Sequence, residues 1–132
     1  MLYMLDTNIC IYIIKRKPRK VLEKFETCHI SDVVISSITL SELEYGVAKS
    51  SRPEQNEEAL SEFLAPLEII PYDDRAAVHY GEIRAYLEGK GRAIGSMDML
   101  IAAHARSLGL TLITNNIREF KRIPDLKAEN WA

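Results

Sequence analysis

Short apolar runs alternate with longer stretches of helical spacing along most of this chain. Tyr3-Met4-Leu5 stops abruptly at Asp6-Thr7-Asn8, an acid, a hydroxyl and an amide. An apolar run that short, closed by polar residues, predicts a buried strand. Val33-Val34-Ile35, β-branched throughout, predicts a second, closed by Ser36-Ser37-Ile38-Thr39. Leu67 to Ile70 before Pro71, and Leu110-Thr111-Leu112-Ile113 before Thr114-Asn115-Asn116, predict two more.

Helical spacing fills the intervals. Val21, Leu22 and Phe25 follow Pro18; Leu40, Leu43 and Val47 follow the second run; Leu60, Phe63, Leu64 and Leu67 follow a break at Ser50 to Pro53. Asp73 to Leu87 carries the longest pattern, and a glycine-rich loop, Gly89 to Gly95, precedes a helix from about Met97 to Leu108. Gly109 suits the end of that helix. Ile9 to Ile14 is apolar and short, and a basic run, Lys15 to Lys20, follows it. Strands alternating with helices predict an α/β fold, three layers deep, around a mostly parallel sheet. At 132 residues the chain is expected to be one domain, 1–132.

Composition narrows the class without choosing a function. Hydrophobic content of 47% and charged content of 27% are those of a globular protein. No apolar run approaches the roughly 20 residues that span a bilayer, and no export signal is visible. Cys10 and Cys28 form no metal or disulfide pattern and read as small buried apolar residues in a reducing, cytoplasmic setting. A net charge of −2 gives no global nucleic-acid signature, so such a partner needs a local basic patch. Lys15, Arg92 and Arg118, with their basic neighbours, are candidates to rim a pocket and hold a phosphate backbone.

The acids change the picture. In an open parallel sheet, ligands bind beyond the carboxyl ends of the strands. Asp6 follows the first strand, Glu42 falls in the first turn of the helix after the second, Asp98 falls in the first turn of the helix after the glycine-rich loop, and Glu119 lies just beyond the strand that ends at Thr114. Carboxylates brought together there repel unless a cation neutralises them, and hard oxygen donors suit Mg²⁺ or Mn²⁺. The chemistry that wants this arrangement is phosphodiester hydrolysis. Each acid also has a structural reading. Asp6 is a candidate helix cap, Asp98 complements a helix dipole, and Thr39-x-x-Glu42 matches a capping box. His29, His79 and His104 share no metal-ligand spacing, and His104 reads as packed against its helix neighbours.

Four segments resemble PIN-domain ribonucleases: Met4-Leu5-Asp6-Thr7-Asn8, Ser36 to Gly46, Ile94-Gly95-Ser96-Met97-Asp98 with Ile101 to Ala105, and Leu112 to Phe120. The likeness runs over essentially the whole chain and is greatest to the VapC toxins of bacterial toxin–antitoxin pairs. It implies a PIN fold, Mg²⁺- or Mn²⁺-dependent endoribonuclease activity, a homodimer within a higher assembly, and inhibition by a cognate VapB antitoxin. It implies tRNA as substrate, with the initiator tRNA anticodon loop ranked first. Asp6, Glu42 and Asp98 match the family's acidic metal-binding and catalytic positions. Where many PIN domains place a fourth acid this chain has Asn116, and Glu119 is the replacement one helical turn on. Met97 stands where many relatives have Asn. Thr7, Thr114 and Asn116 are expected to hydrogen-bond the ligands from behind. Three rivals remain: a receiver-type phosphorelay domain, which the lack of an acid pair near Asp6 disfavours; a catalytically silent PIN-like binding domain; and a nuclease of the same fold acting on rRNA or DNA.

Overall fold

A computed structural model describes residues 1–132. The first strand, β1 (Tyr3–Leu5), leads into α1 (Thr7–Lys15) and α2 (Arg19–Glu26). β2 (Val33–Ser36), α3 (Ser37–Ala48), α4 (Pro53–Leu64) and β3 (Glu68–Ile70) follow. The chain continues through α5 (Asp74–Gly89), α6 (Ser96–Leu108), β4 (Thr111–Ile113), α7 (Ile117–Phe120) and β5 (Lys127–Glu129). The five strands form one sheet in the order β3-β2-β1-β4-β5, and every pairing is parallel.

Parallel strands need crossover helices, so both faces are covered and both side-chain sets are apolar. Met4, Val34 and Leu112 point to one face, packed under Ile83, Leu87, Ile101 and Ala105 of α5 and α6. Leu5, Val33, Ile35 and Ile113 point to the other, packed under Ile9, Ile13, Val21 and Leu60 of α1, α2 and α4. Each such fully buried aliphatic contributes roughly 1.5–3 kcal/mol of transfer free energy. That is the three-layer α/β/α arrangement the alternation predicted, with the sheet parallel throughout.

Connectivity places the site. From β1 the chain steps outward to β2 and β3, then returns through α5 and α6 to lay β4 on β1's other side. Right-handed crossovers put the outward helices on one face and the returning pair on the other. The direction reverses at β1, which leaves a crevice beyond its carboxyl end. Asp6 stands there.

Local details refine the sequence reading. Ile9 to Ile14 lies within α1, and Pro53 opens α4 rather than merely ending a break. Gly109 ends α6 in the left-handed conformation (φ 67°), as expected. Cys10 is buried, but Cys28 is only partly so, with its thiol on the Lys24 carbonyl; both are free. No helix is long and apolar enough to cross a membrane.

Candidate active site at the carboxyl edge of the sheet

Asp6 is held from three sides. Its amide donates to the Ile113 carbonyl at 2.9 Å, so the residue still follows the sheet. Its carboxylate accepts from the Ile9 amide at 2.9 Å and caps α1. The side chain is almost entirely shut from solvent. Burial pushes its carboxyl from 3.8 to about 6, and the charges of Asp98 and Glu42 push the same way. The Thr114 hydroxyl and the Ile9 amide oppose the rise. The capping and clustering readings of Asp6 therefore hold together.

Glu42 departs from the expectation. The helix begins at Ser37 with Ser36 as its cap, so Glu42 lies in the second turn and the Thr39 capping box does not form. Ser36 wins because its hydroxyl already accepts from the Ile38 amide at 3.0 Å. Thr39 is instead buried with its hydroxyl unpartnered. The Glu42 carboxylate is left to reach across to α1, where it accepts from the Thr7 hydroxyl.

Asp98 is the third residue of α6, half-buried, and Gly95 rather than Asp98 caps that helix. Its carboxyl is raised by burial first, then by the charges of Glu42 and Glu119. Glu119, half-buried on α7, is thereby within electrostatic reach of Asp98. Thus Asp6 senses Asp98 and Glu42, and Asp98 senses Glu42 and Glu119. The fold brings Asp6, Glu42 and Asp98 within electrostatic reach of one another and Glu119 within reach of Asp98, although the four are dispersed along the chain. No three acidic, histidine or cysteine side chains close into a ready-made ligand cage.

The supporting residues sit as follows. Asn116 immediately precedes the short α7 without a side-chain capping bond, and its backbone amide donates to the Thr114 hydroxyl oxygen at 3.0 Å. Lys15, Arg92 and Arg118 are exposed, and none belongs to any ion pair of the chain. Lys15 and Glu42 share a groove of about 330 Å³ between α1, α3 and α4, floored by Ile11, Ile14, Leu43, Val47 and Leu60. Arg92 lies on the loop before α6, and Arg118 adjoins Glu119 on α7.

Two pairings escape sequence reasoning. The Asn115 amide donates to the Tyr12 hydroxyl at 2.7 Å, tying the end of β4 to α1 across 103 positions. His104, packed as expected, bonds Ser36 across 68. Neither has a local signal, because each is created by the sheet order.

The PIN-domain family model matches residues 3–126. Ribonuclease VapC2 of Rickettsia felis is 51% identical over 132 residues, covering 99% of this chain and 98% of the relative. The tRNA(fMet)-specific endonuclease VapC of Salmonella typhimurium is 50% identical over 130 residues, covering 98% of each. Among solved structures, DNA-bound VapBC of Salmonella typhimurium matches with a TM-score of 0.94, 50% identity and full coverage of both chains. VapBC2 of Rickettsia felis, bound to a DNA fragment from its promoter, matches with a TM-score of 0.92, 49% identity and full coverage. With its acids gathered at the switch point of an all-parallel sheet, the chain belongs to the PIN-domain family, among the VapC ribonucleases.

Proposed function

We propose that this chain, acting as one domain over 1–132, is the toxin of a toxin–antitoxin pair. On this reading it hydrolyses RNA with Mg²⁺ or Mn²⁺ held by Asp6, Asp98, Glu42 and Glu119. The observation that carries the proposal is the convergence of these carboxylates: burial raises Asp6 to about 6 and raises Asp98, and the charges of Asp98 and Glu42 on the one, and of Glu42 and Glu119 on the other, add repulsion in the same direction. A hard divalent cation relieves that repulsion. The open donor set fits a magnesium-type ion, which takes one or two carboxylates directly and keeps several waters. When bound, such an ion supplies positive charge for phosphate oxygens and lowers the pKa of a bound water.

The chain's own residues do the rest. Asp6 and Asp98 are the direct ligands, with Glu119 assisting. Glu42, fixed by the Thr7 hydroxyl, orients the attacking water. Thr114 and Asn116 brace the Asp6 side of the site. Lys15, Arg92 and Arg118 position RNA phosphates. Water oxygen bonds to phosphorus, the bond to the leaving ribose oxygen breaks, and that oxygen takes up a proton. The name of the Salmonella relative supports tRNA as substrate, the initiator anticodon loop first. Unstacked loops are also what sequence-specific RNA recognition usually targets.

A VapB-type antitoxin is the partner, and the VapBC complexes among the structural relatives support it. Its apolar segment fits the groove that Glu42 shares with Lys15. A second copy of the chain packs on α5, whose outer face exposes Val78 and Tyr86 around the small residues Ala77, Gly81 and Ala85. The complex works in the cytoplasm.

The deciding experiment incubates antitoxin-free protein with total tRNA and Mg²⁺ or Mn²⁺, beside samples with EDTA or with Asp98→Asn. One metal-dependent cut in one tRNA loop, absent from the folded variant, is the expected result. Full activity in Asp98→Asn would overturn the site assignment, and intact tRNA would move the substrate to rRNA or DNA. Light scattering on the same preparation should give a dimer mass; a monomer removes the α5 interface.

A further inference from the structure

Ser36 closes β2 and starts α3, and its hydroxyl oxygen accepts from the Ile38 amide at 3.0 Å. The same oxygen lies 2.7 Å from Nδ1 of His104, and both side chains are shut from solvent. This is the one side-chain hydrogen bond between the start of α3 and α6. The imidazole rests edge-on against Tyr72, 5.6 Å between ring centres. Tyr72 in turn gives its amide to the Ser37 hydroxyl at 3.0 Å. Both hydroxyls that open α3 are therefore committed, one to α6 and one to the segment between β3 and α5.

The donor direction follows from counting. A hydroxyl oxygen that takes an amide proton still has its own proton to give, and Nδ1 is the acceptor in reach. Nε2 finds no partner, so it does not choose the tautomer. Burial lowers the imidazole pKa, against the opposing charge of Asp73, which favours the neutral ring that can accept. Ser36→His104 is then a buried bond with both its ends spoken for.

We infer that His104 is a positioning residue for the acid cluster: it accepts from Ser36 and thereby fixes α3, which carries Glu42, against α6, which carries Asp98. The inference rests on the proposed role of those two acids. His104 touches neither of them, and it lies six positions beyond Asp98 on α6. Its effect is on the spacing of two helices whose acids come from different crossovers. Polar groups that orient metal ligands from behind typically cost 10- to 100-fold in affinity when removed.

The test compares His104→Phe, which keeps ring volume and the Tyr72 contact, with His104→Asn, which keeps an acceptor near the Nδ1 position. Mn²⁺ affinity by calorimetry and the kcat and KM for RNA are measured on both. The Phe variant is expected to bind Mn²⁺ roughly ten-fold more weakly, with a matching fall in kcat and an unchanged KM for RNA. The Asn variant should recover most of both. Ser36→Ala breaks the same bond while leaving the imidazole, and it serves if the Phe variant fails to fold. Combining Ser36→Ala with His104→Phe should weaken Mn²⁺ binding no further than either alone, since one bond is lost in all three. Parental Mn²⁺ affinity and kcat in the Phe variant, or an Asn variant as impaired as Phe, would overturn the inference. If the parent binds no Mn²⁺, the metal reading falls by itself, and the kcat comparison still decides the role of His104.

Discussion

Asp6 is asked to do two things that oppose each other. As the cap of α1 it is wanted charged, to accept from Ile9. Buried beside the charges of Asp98 and Glu42, it is driven toward the neutral acid, up to about 6 from 3.8. A folded-state value above the unfolded one stabilises the protein below the unfolded pKa, and that gain disappears as pH rises through the folded one. The metal-free protein should therefore be more stable at pH 5 than at pH 7. The shift corresponds to about 3 kcal/mol at most, since a pKa difference of one is about 1.4 kcal/mol. Asp6→Asn keeps a good helix cap and removes the charge. It is expected to raise the melting temperature at pH 7 in EDTA, to flatten the dependence between pH 5 and 7, and to end RNA cleavage. A lower melting temperature than the parent at pH 7 would show that the cap outweighs burial. Function and stability are opposed at this carboxylate.

At the scale of elements, the end of β4 shows how strand position makes chemistry. Thr114 turns its hydroxyl to Asp6, and the backbone amide of Asn116, two residues on, donates to that same hydroxyl oxygen. Asn116→Asp should supply a further ligand without costing α7 a cap, since the Asn116 side chain makes no capping bond. Mn²⁺ titration is expected to show a second bound ion per chain. An unchanged stoichiometry would show that Glu119 already does this work. The sequence carried β1, β2 and β4 plainly, because strands buried on both faces must be apolar at consecutive positions. It hid β5, where Lys127-Ala128-Glu129 exposes two charged residues on an edge strand, and α7, which is a single turn. Glu42 was legible as an acid near a helix start, yet its capping-box reading failed by the register of one helix: Ser36, not Thr39, takes the cap. A shared edge for the acids was open to expectation from their places at strand ends, but which junctions meet is set by the strand order, which position along the chain does not give.

For the whole molecule, a net charge of −2 conceals a segregation of sign. Acids line the crevice, while Lys15, Arg92 and Arg118 stand free of ion pairs on elements leading from it. If these three hold RNA phosphates, replacing each by Ala should lower the slope of log affinity against log salt by about one. Arg19→Ala, at a residue paired with Glu23, should leave the slope alone. Filter binding of RNA to a cleavage-dead variant over a range of salt reads this out, and an unaltered slope in all three removes the basic rim from the binding surface.

The all-parallel sheet has one more outcome, in the order of synthesis. No strand pairs with a neighbour across a hairpin; Tyr3, among the first residues made, waits for Val33 and then for Thr111, and β4 waits for residues 127–129. Such long-range pairings form slowly, after their loops have closed. Asp6 therefore meets Asp98 and Glu119 only when nearly the whole chain has left the ribosome. A nascent chain, however many copies are being translated, holds no assembled acid cluster, and the interval before completion is time in which the site does not yet exist.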